Sequence, residues 1–220
     1  MIPDLSHIDT WLFDLDDTLY PLESGVGLDV SERITTYVER LTGLPRDEAR
    51  ALQKRYLAQH GLTLRGLMLH HGVDPHDYHA MFDDLPLEAI AQDGALVAAI
   101  ARLPGRKIVF TNASEAHAGR VLARLGLTGL FDGVFHIEAA GFAPKPSAEA
   151  FERLIAAHEV EPRSAAFFED RAGNLEPAHR LGMTTVLVGL GAEANTDAFV
   201  RYRAPRLAGF LAQARIKEPA

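Results

Sequence analysis

The sequence predicts an α/β fold in which a parallel sheet of βαβ units is interrupted by an all-helical insert. Two observations carry this. Short β-branched and aromatic runs alternate with helix-like stretches, and each run is apolar almost throughout, as strands covered on both faces should be. More than ninety residues separate the first run from the second, far more than one crossover needs.

The first strand is expected at Trp11 to Phe13. In the insert, Val30, Ile34, Tyr37, Val38 and Leu41 recur at helical spacing from Asp29 to Leu41, and Gly43 supplies a stop. A second helix can start at Pro45, tolerated in a first helical turn, and run to Gly61. Leu64 to His71, stopped by Gly72, and Pro75 to Phe82 make a third and fourth. Met68, Met81 and Phe82 read as packing within the insert, which is placed at residues 24–87 as a helical cap; residues 1–23 and 88–220 form the core. The later strands are expected at Lys107 to Phe110, Gly133 to Ile137, Ala165 to Phe168 and Thr184 to Val188. Ser114 can cap a helix carrying Val121, Leu122 and Leu125, and Ser147 one carrying Phe151, Leu154 and Ile155. Gly182 can end a helix that begins near Leu175, and Asn195 to Pro205 is expected to be the most weakly ordered stretch.

Composition narrows the chemistry. The 220 residues hold 22 Lys plus Arg against 30 Asp plus Glu, a formal charge of −8, which disfavours nucleic acid and anionic membranes as partners. With no cysteine there is no disulfide, thiolate nucleophile or Cys-ligated metal, so any metal must sit on oxygen or imidazole. Met1 to Asp9 has neither a basic nor an apolar leader segment, and no apolar run approaches the roughly 18 residues of a spanning helix, so a cytoplasmic protein is expected.

The first strand runs into Asp14-Leu15-Asp16-Asp17-Thr18, at the carboxyl edge where open α/β sheets bind ligands. Asp14 and Asp16 point to one side because strand side chains alternate. Two carboxylates so placed repel, and a divalent cation or a retained proton would stabilise them. The second strand ends at Thr111-Asn112 and the fourth at Glu169-Asp170, while Lys145 sits just ahead of the helix capped by Ser147. Together these residues offer a nucleophile, a hydrogen-bond donor for phosphoryl oxygens, a balancing cation and Mg²⁺ ligands.

The order of these groups resembles the haloacid dehalogenase-like (HAD) hydrolase superfamily, whose core is Rossmann-like. Its Asp-x-Asp-x-Thr motif matches Asp14, Asp16 and Thr18; the later motifs match Thr111, Lys145, and Glu169 with Asp170. A helical insert right after the first motif resembles the capped subgroup. Asp17 to Pro21, Gly61 to Leu67, and Phe168 to Asp170 followed by Asn174 are similar to the pyrimidine 5′-nucleotidase-like branch. The resemblance implies that Asp14 attacks phosphorus and that Asp16 protonates the leaving alkoxide, then activates water. It also implies that the Asp14 carboxylate, the Asp16 backbone carbonyl and Asp170 hold Mg²⁺, and that Thr111 and Lys145 bind the transferring phosphoryl group. Many relatives carry a second aspartate where this chain has Asn174, so Asn174 is expected to act behind the ligands. Glu169 is expected to orient Lys145 or a metal-bound water, and Asp17 is read as an exposed turn. With Asp14, Asp16 and Asp170 ionised, Mg²⁺ and Lys145 would leave the site neutral.

Asn112, Thr63 and Arg65 are candidate substrate contacts, the last two from the insert. His70, His71, His76 and His79 lack a zinc-protease pattern and read as a solvated or substrate-facing surface. The expected function is Mg²⁺-dependent hydrolysis of a small phosphorylated metabolite, a pyrimidine nucleoside 5′-monophosphate first, by a monomer or homodimer. A phosphosugar phosphatase or mutase shares the motifs. A haloacid dehalogenase would need neither Asp16 nor Asp170, and a non-catalytic binding module would be expected to lack one of the chemical groups.

Overall fold

The computed structural model describes residues 2–217; Met1 and residues 218–220, assigned above to the core, lie outside the described residues. β1 (Thr10–Phe13) is buried at every position, as a central strand of a parallel sheet must be. Four helices follow: α1 (Val26–Thr42), α2 (Arg46–His60), α3 (Thr63–His71) and α4 (Pro75–Ala80). The first three end on Gly43, Gly61 and Gly72, each left-handed, the conformation that lets a helix stop and its chain turn back. The remaining elements alternate: α5 (Gly94–Ala101), β2 (Arg106–Phe110), α6 (Glu115–Leu125), β3 (Gly133–Phe135), α7 (Ala148–His158), β4 (Ala165–Glu169), α8 (Ala172–Arg180), β5 (Thr184–Val188), β6 (Tyr202–Ala204) and α9 (Leu207–Gln213). Among the described residues the strands form one parallel sheet in the order β3-β2-β1-β4-β5-β6. The expected α/β architecture is therefore the observed one.

Strand alternation divides the apolar residues between two faces. Trp11 and Phe13 point to the side covered by α5, α6 and α9, where Phe13 stacks on Phe168 at 4.7 Å. Leu12, Ile108, Phe110 and Phe167 point to the side covered by α7 and α8. The inserted helices have an apolar cluster of their own around Val38, Leu52, Tyr56, Leu64, Leu67 and Tyr78, against which Met68, Met81 and Phe82 pack. Val26, Leu85 and Leu87, near the two ends of the insert, pack with the sheet instead.

Three departures from the sequence reading have physical causes. The segment expected to be weakly ordered contains β6, paired with β5. The buried Thr185 hydroxyl donates to the Phe199 carbonyl at 2.6 Å and accepts from the Arg201 N–H at 3.0 Å, so a polar stretch is anchored by a strand distant in sequence. α5 was not anticipated because it is apolar nearly all round, leaving no amphipathic period to detect; α9 is short and packs on it. α8 starts at Ala172, three residues before the expected point, while β3 and α4 end two residues early.

One glycine limits how α2 and α3 pack. A Cβ on Gly66 would lie 2.4 Å from the Tyr56 ring, so only hydrogen fits between the helices. Gly66→Ala is expected to destabilise the protein by about 1–3 kcal/mol through overpacking, read from urea denaturation. A loss below about 0.5 kcal/mol would show that the helices spread freely there.

Candidate active site

The strand order places three chain segments side by side at the carboxyl edge. Phe13 of β1 is level with Val109 of β2 and Phe168 of β4, so Asp14, Phe110 with Thr111, and Glu169 emerge together. At their meeting point lies Lys145, only 2% exposed. Its ammonium donates to Asp14 Oδ1 at 2.6 Å, Glu169 Oε2 at 2.8 Å and the Phe110 carbonyl at 2.8 Å, which uses all three of its N–H bonds. The rings of Phe110 and Phe167 lie 5.1 and 5.4 Å from the nitrogen, within cation–π range. Asn112, expected to touch substrate, uses its amide on the Lys145 backbone: Oδ1 accepts from the N–H at 2.8 Å and Nδ2 donates to the carbonyl at 3.2 Å. Asn112 also lines the cavity described below.

Asp14, Glu169 and Asp170 each bring a carboxylate oxygen within 4.8 Å of the others. Glu169 Oε2 is bound to Lys145, and its Oε1 accepts the Arg171 N–H at 3.1 Å, so both of its oxygens are engaged. Burial favours the uncharged form of Glu169, but Lys145 outweighs it and holds the carboxyl below its usual range. Burial also favours a neutral Lys145 amine, and Asp14 and Glu169 outweigh it to hold the ammonium charged. Burial followed by repulsion from Glu169 pushes Asp14 up to about 8 and Asp170 up to about 9. Carboxylates driven toward protonation by each other's charge are what a divalent cation relieves, and an all-oxygen donor set suits a hard ion such as Mg²⁺. The residues present fit that ion.

Above the cluster is a cavity of about 350 Å³ lined by Asp14, Asp16, Thr111, Lys145, Asp170 and Asn174 on the sheet side. Thr111 is buried and its Oγ1 accepts from the Ala113 N–H at 3.0 Å, leaving its O–H hydrogen to donate elsewhere. Asp16 Oδ1 accepts from the Tyr20 hydroxyl at 2.6 Å and sits 3.0 Å from His117 Nε2. Burial raises the Asp16 carboxyl, but the His117 and Tyr20 contacts prevail and hold it below its usual range. Thr18 is buried beside the site with its hydroxyl unpartnered among the described residues. Asp17 differs from the exposed turn expected: it is half-buried at φ +62°, lines the cavity, and burial with the Asp16 charge raises it to about 6. Its carboxylate lies against Gly27 in α1.

The inserted helices form the opposite wall. Val30, Ile34, Leu57, Leu62 and Phe82 supply apolar surface, with Ser31, Gln53 and Thr63 among them. Thr63 lines the cavity, its hydroxyl donating to the Gln53 carbonyl at 3.2 Å. Arg65 does not line it; the guanidinium reaches the Phe142 carbonyl at 3.4 Å and borders a neighbouring groove. The histidines diverge. His70 faces His60 at 3.3 Å, His71 faces the Tyr56 hydroxyl at 3.0 Å, His76 is exposed, and His79 lines the cavity with Nδ1 3.0 Å from Glu138. Sequence reasoning missed Tyr20 and His117; the capping Ser114 three residues before His117 was the available signal that this histidine starts a helix at the same edge.

Known proteins share this fold. The family model of haloacid dehalogenase-like hydrolases matches residues 8–182, and the chain belongs to that family. Phosphate metabolism protein 8 of Saccharomyces cerevisiae is 28% identical over 193 residues, 80% of this chain. Enolase-phosphatase E1 of Frankia alni is 44% identical over 62 residues, 28% of this chain. The chain spans 60% of the length of the first relative and 25% of the second. The crystal structure of a HAD phosphatase from Thermococcus onnurineus shares the fold with a TM-score of 0.64 at 20% identity, covering 94% of this chain and 100% of that one. Hydrolases of this family generally use Mg²⁺, with which the buried acidic cluster is compatible. No helix among the described residues is long and apolar enough to cross a membrane.

Two measurements test the cluster. Because Asp14 and Asp170 have folded values far above the unfolded carboxylate value of 3.8, the stability these two groups contribute to the metal-free protein is full below that value and is lost as pH rises toward about 8 to 9. Mg²⁺ is expected to raise Tm, and by more at pH 8 than at pH 5, where bound protons compete; a pH-independent shift would contradict the cluster as its site. Lys145→Met is expected to cost about 3–5 kcal/mol in chemical denaturation because it strands two buried carboxylates.

Proposed function

We propose that the protein is a Mg²⁺-dependent phosphomonoester hydrolase working through an aspartyl-phosphate on Asp14. The observation that carries this reading is the joint placement of Asp14, Lys145, Thr111 and Asp170 around one cavity, with a second carboxyl, Asp16, on its wall. An Asp14 oxygen attacks phosphorus while the ester oxygen leaves and takes a proton from Asp16, which must enter this step protonated although His117 and Tyr20 favour its carboxylate. Asp16, now a carboxylate, takes a proton from the water that next attacks the phosphoryl-enzyme. That step releases phosphate and restores Asp14. Thr111 and Lys145 offer hydrogen bonds to the phosphoryl oxygens as charge builds on them. Mg²⁺, held by the carboxylates of Asp14 and Asp170 and the Asp16 carbonyl, would supply positive charge that keeps Asp14 ionised and offsets the incoming phosphate.

The inserted helices at residues 24–87 act in this reading as a cap that shields the reaction from water and selects the leaving group. Their wall mixes apolar side chains with Ser31, Gln53 and Thr63, which suits a ring with polar edges. Together with the pyrimidine 5′-nucleotidase-like segments, this makes a pyrimidine nucleoside 5′-monophosphate the preferred substrate class, with a phosphosugar as the second reading. The site works in a single chain, and the protein is assigned to the cytoplasm as a monomer or homodimer.

Asp14→Asn is expected to abolish phosphate release because it removes the nucleophile, and to shift the melting transition because Lys145 loses one of its two buried counter-charges, so turnover is read at a temperature where circular dichroism shows the variant folded; near-normal turnover would sink the mechanism. A panel of phosphorylated metabolites at saturating Mg²⁺ is expected to rank UMP and CMP first. Sugar phosphates ranking far above them would remove the nucleotidase assignment and leave the phosphatase one.

A further inference from the structure

Asp16 is gripped by two donors that converge on a single oxygen. Tyr20, one turn further along the chain, donates to Oδ1 at 2.6 Å. His117, at the start of α6 and 101 positions away in sequence, places Nε2 3.0 Å from the same Oδ1. Among the described residues Oδ2 receives no hydrogen bond, and Asp16 borders the cavity. A carboxyl group that accepts two hydrogen bonds on one oxygen carries its proton on the other. The clamp therefore selects Oδ2 as the oxygen that gives and takes protons.

We propose that His117 is a positioning residue for proton transfer by Asp16, its Nε2–H fixing the carboxyl so that Oδ2 faces the oxygen of the leaving alcohol. The assignment rests on the phosphomonoesterase reading above. Asp16 as a carboxylate can only accept, so Nε2 must be the protonated nitrogen.

The surroundings of His117 support a functional role for that contact. The residue is only 6% exposed, yet its Nδ1 has no partner among the described residues. Buried polar atoms are normally paired, and a histidine kept only for packing could be exchanged for an apolar side chain without leaving a nitrogen unmet. This one leaves Nδ1 unsatisfied while Nε2 meets Asp16. Its backbone is held as well, because the His117 N–H donates to the Ser114 Oγ cap at 3.3 Å. The imidazole thus projects from a rigid helix start.

In the first half-reaction the Asp14–phosphorus bond forms, the bond from phosphorus to the ester oxygen breaks, and the Oδ2 proton moves to that oxygen. An alkoxide needs that proton; a nitrophenolate leaves without it. The experiment compares kcat/KM, which reports formation of the aspartyl-phosphate, for β-glycerophosphate and p-nitrophenyl phosphate at saturating Mg²⁺. H117L is expected to lose about 100-fold on the alkyl ester and roughly tenfold less than that on the nitrophenyl ester. H117Q, whose amide N–H reaches a similar point, restores most of the alkyl activity. H117N, too short to reach Asp16, shows the same bias as H117L and replaces it should that variant not fold. Equal losses on both esters, or H117Q as impaired as H117N, would overturn the assignment. A wild-type protein that releases phosphate from neither ester and from no member of the metabolite panel above overturns the phosphatase reading and the assignment with it, a result seen before any variant is compared.

Discussion

Lys145 holds its charge at the floor of the carboxyl edge, where three strands each supply one acceptor: Asp14 after β1, the Phe110 carbonyl at the end of β2, and Glu169 at the end of β4. An isolated ammonium in such a place would be strongly disfavoured, by several kcal/mol even after relaxation, so the ion persists only because its partners arrive together. They arrive together because β1 lies between β2 and β4 in parallel register. The central strand order and the buried cation are thus two statements of one constraint. The loop carrying Lys145 is fixed in turn by the Asn112 amide, so the residue after β2 serves the site by aiming the cation.

That constraint also sets the charge balance. Counting Asp14, Asp16 and Asp170 against Mg²⁺ and Lys145 gives a neutral site, but the structure adds Glu169, already bound to Lys145, and the balance becomes one charge more negative. Arg171, exposed on the cavity rim, offsets it, while Asp17 on the cavity wall adds a negative charge above about pH 6. The raised values of Asp14 and Asp170 fit a cluster that needs a counter-charge.

The two walls of the cavity divide the work. The sheet edge presents charged groups held by strand geometry and buried hydrogen bonds, while the inserted helices present a mainly apolar surface. The helices rest on their own cluster and stay close because Gly66 admits the Tyr56 ring. His79 reaches Glu138 of the sheet side, a bridge between the two walls that holds Glu138 well below its usual carboxyl range against the upward push of burial.

Local signals determined most of the architecture. Apolar runs, glycine stops and the Ser114 and Ser147 caps located the five long-recognised strands and most helices because those effects act within a few residues. The acidic motif, Thr111 and Asp170 were legible because each falls where a strand delivers its side chain to one edge, and Lys145 because it sits just ahead of the helix capped by Ser147. Only the tertiary structure decided the rest. β6 depends on pairing with β5, α5 hides its helical character in uniform apolarity, and Asp17 is turned inward by a left-handed residue. Arg65 faces a carbonyl outside the cavity, and His117 meets Asp16 across 101 positions. Side-chain direction and long-range contact arise from packing between distant segments, which no local pattern records.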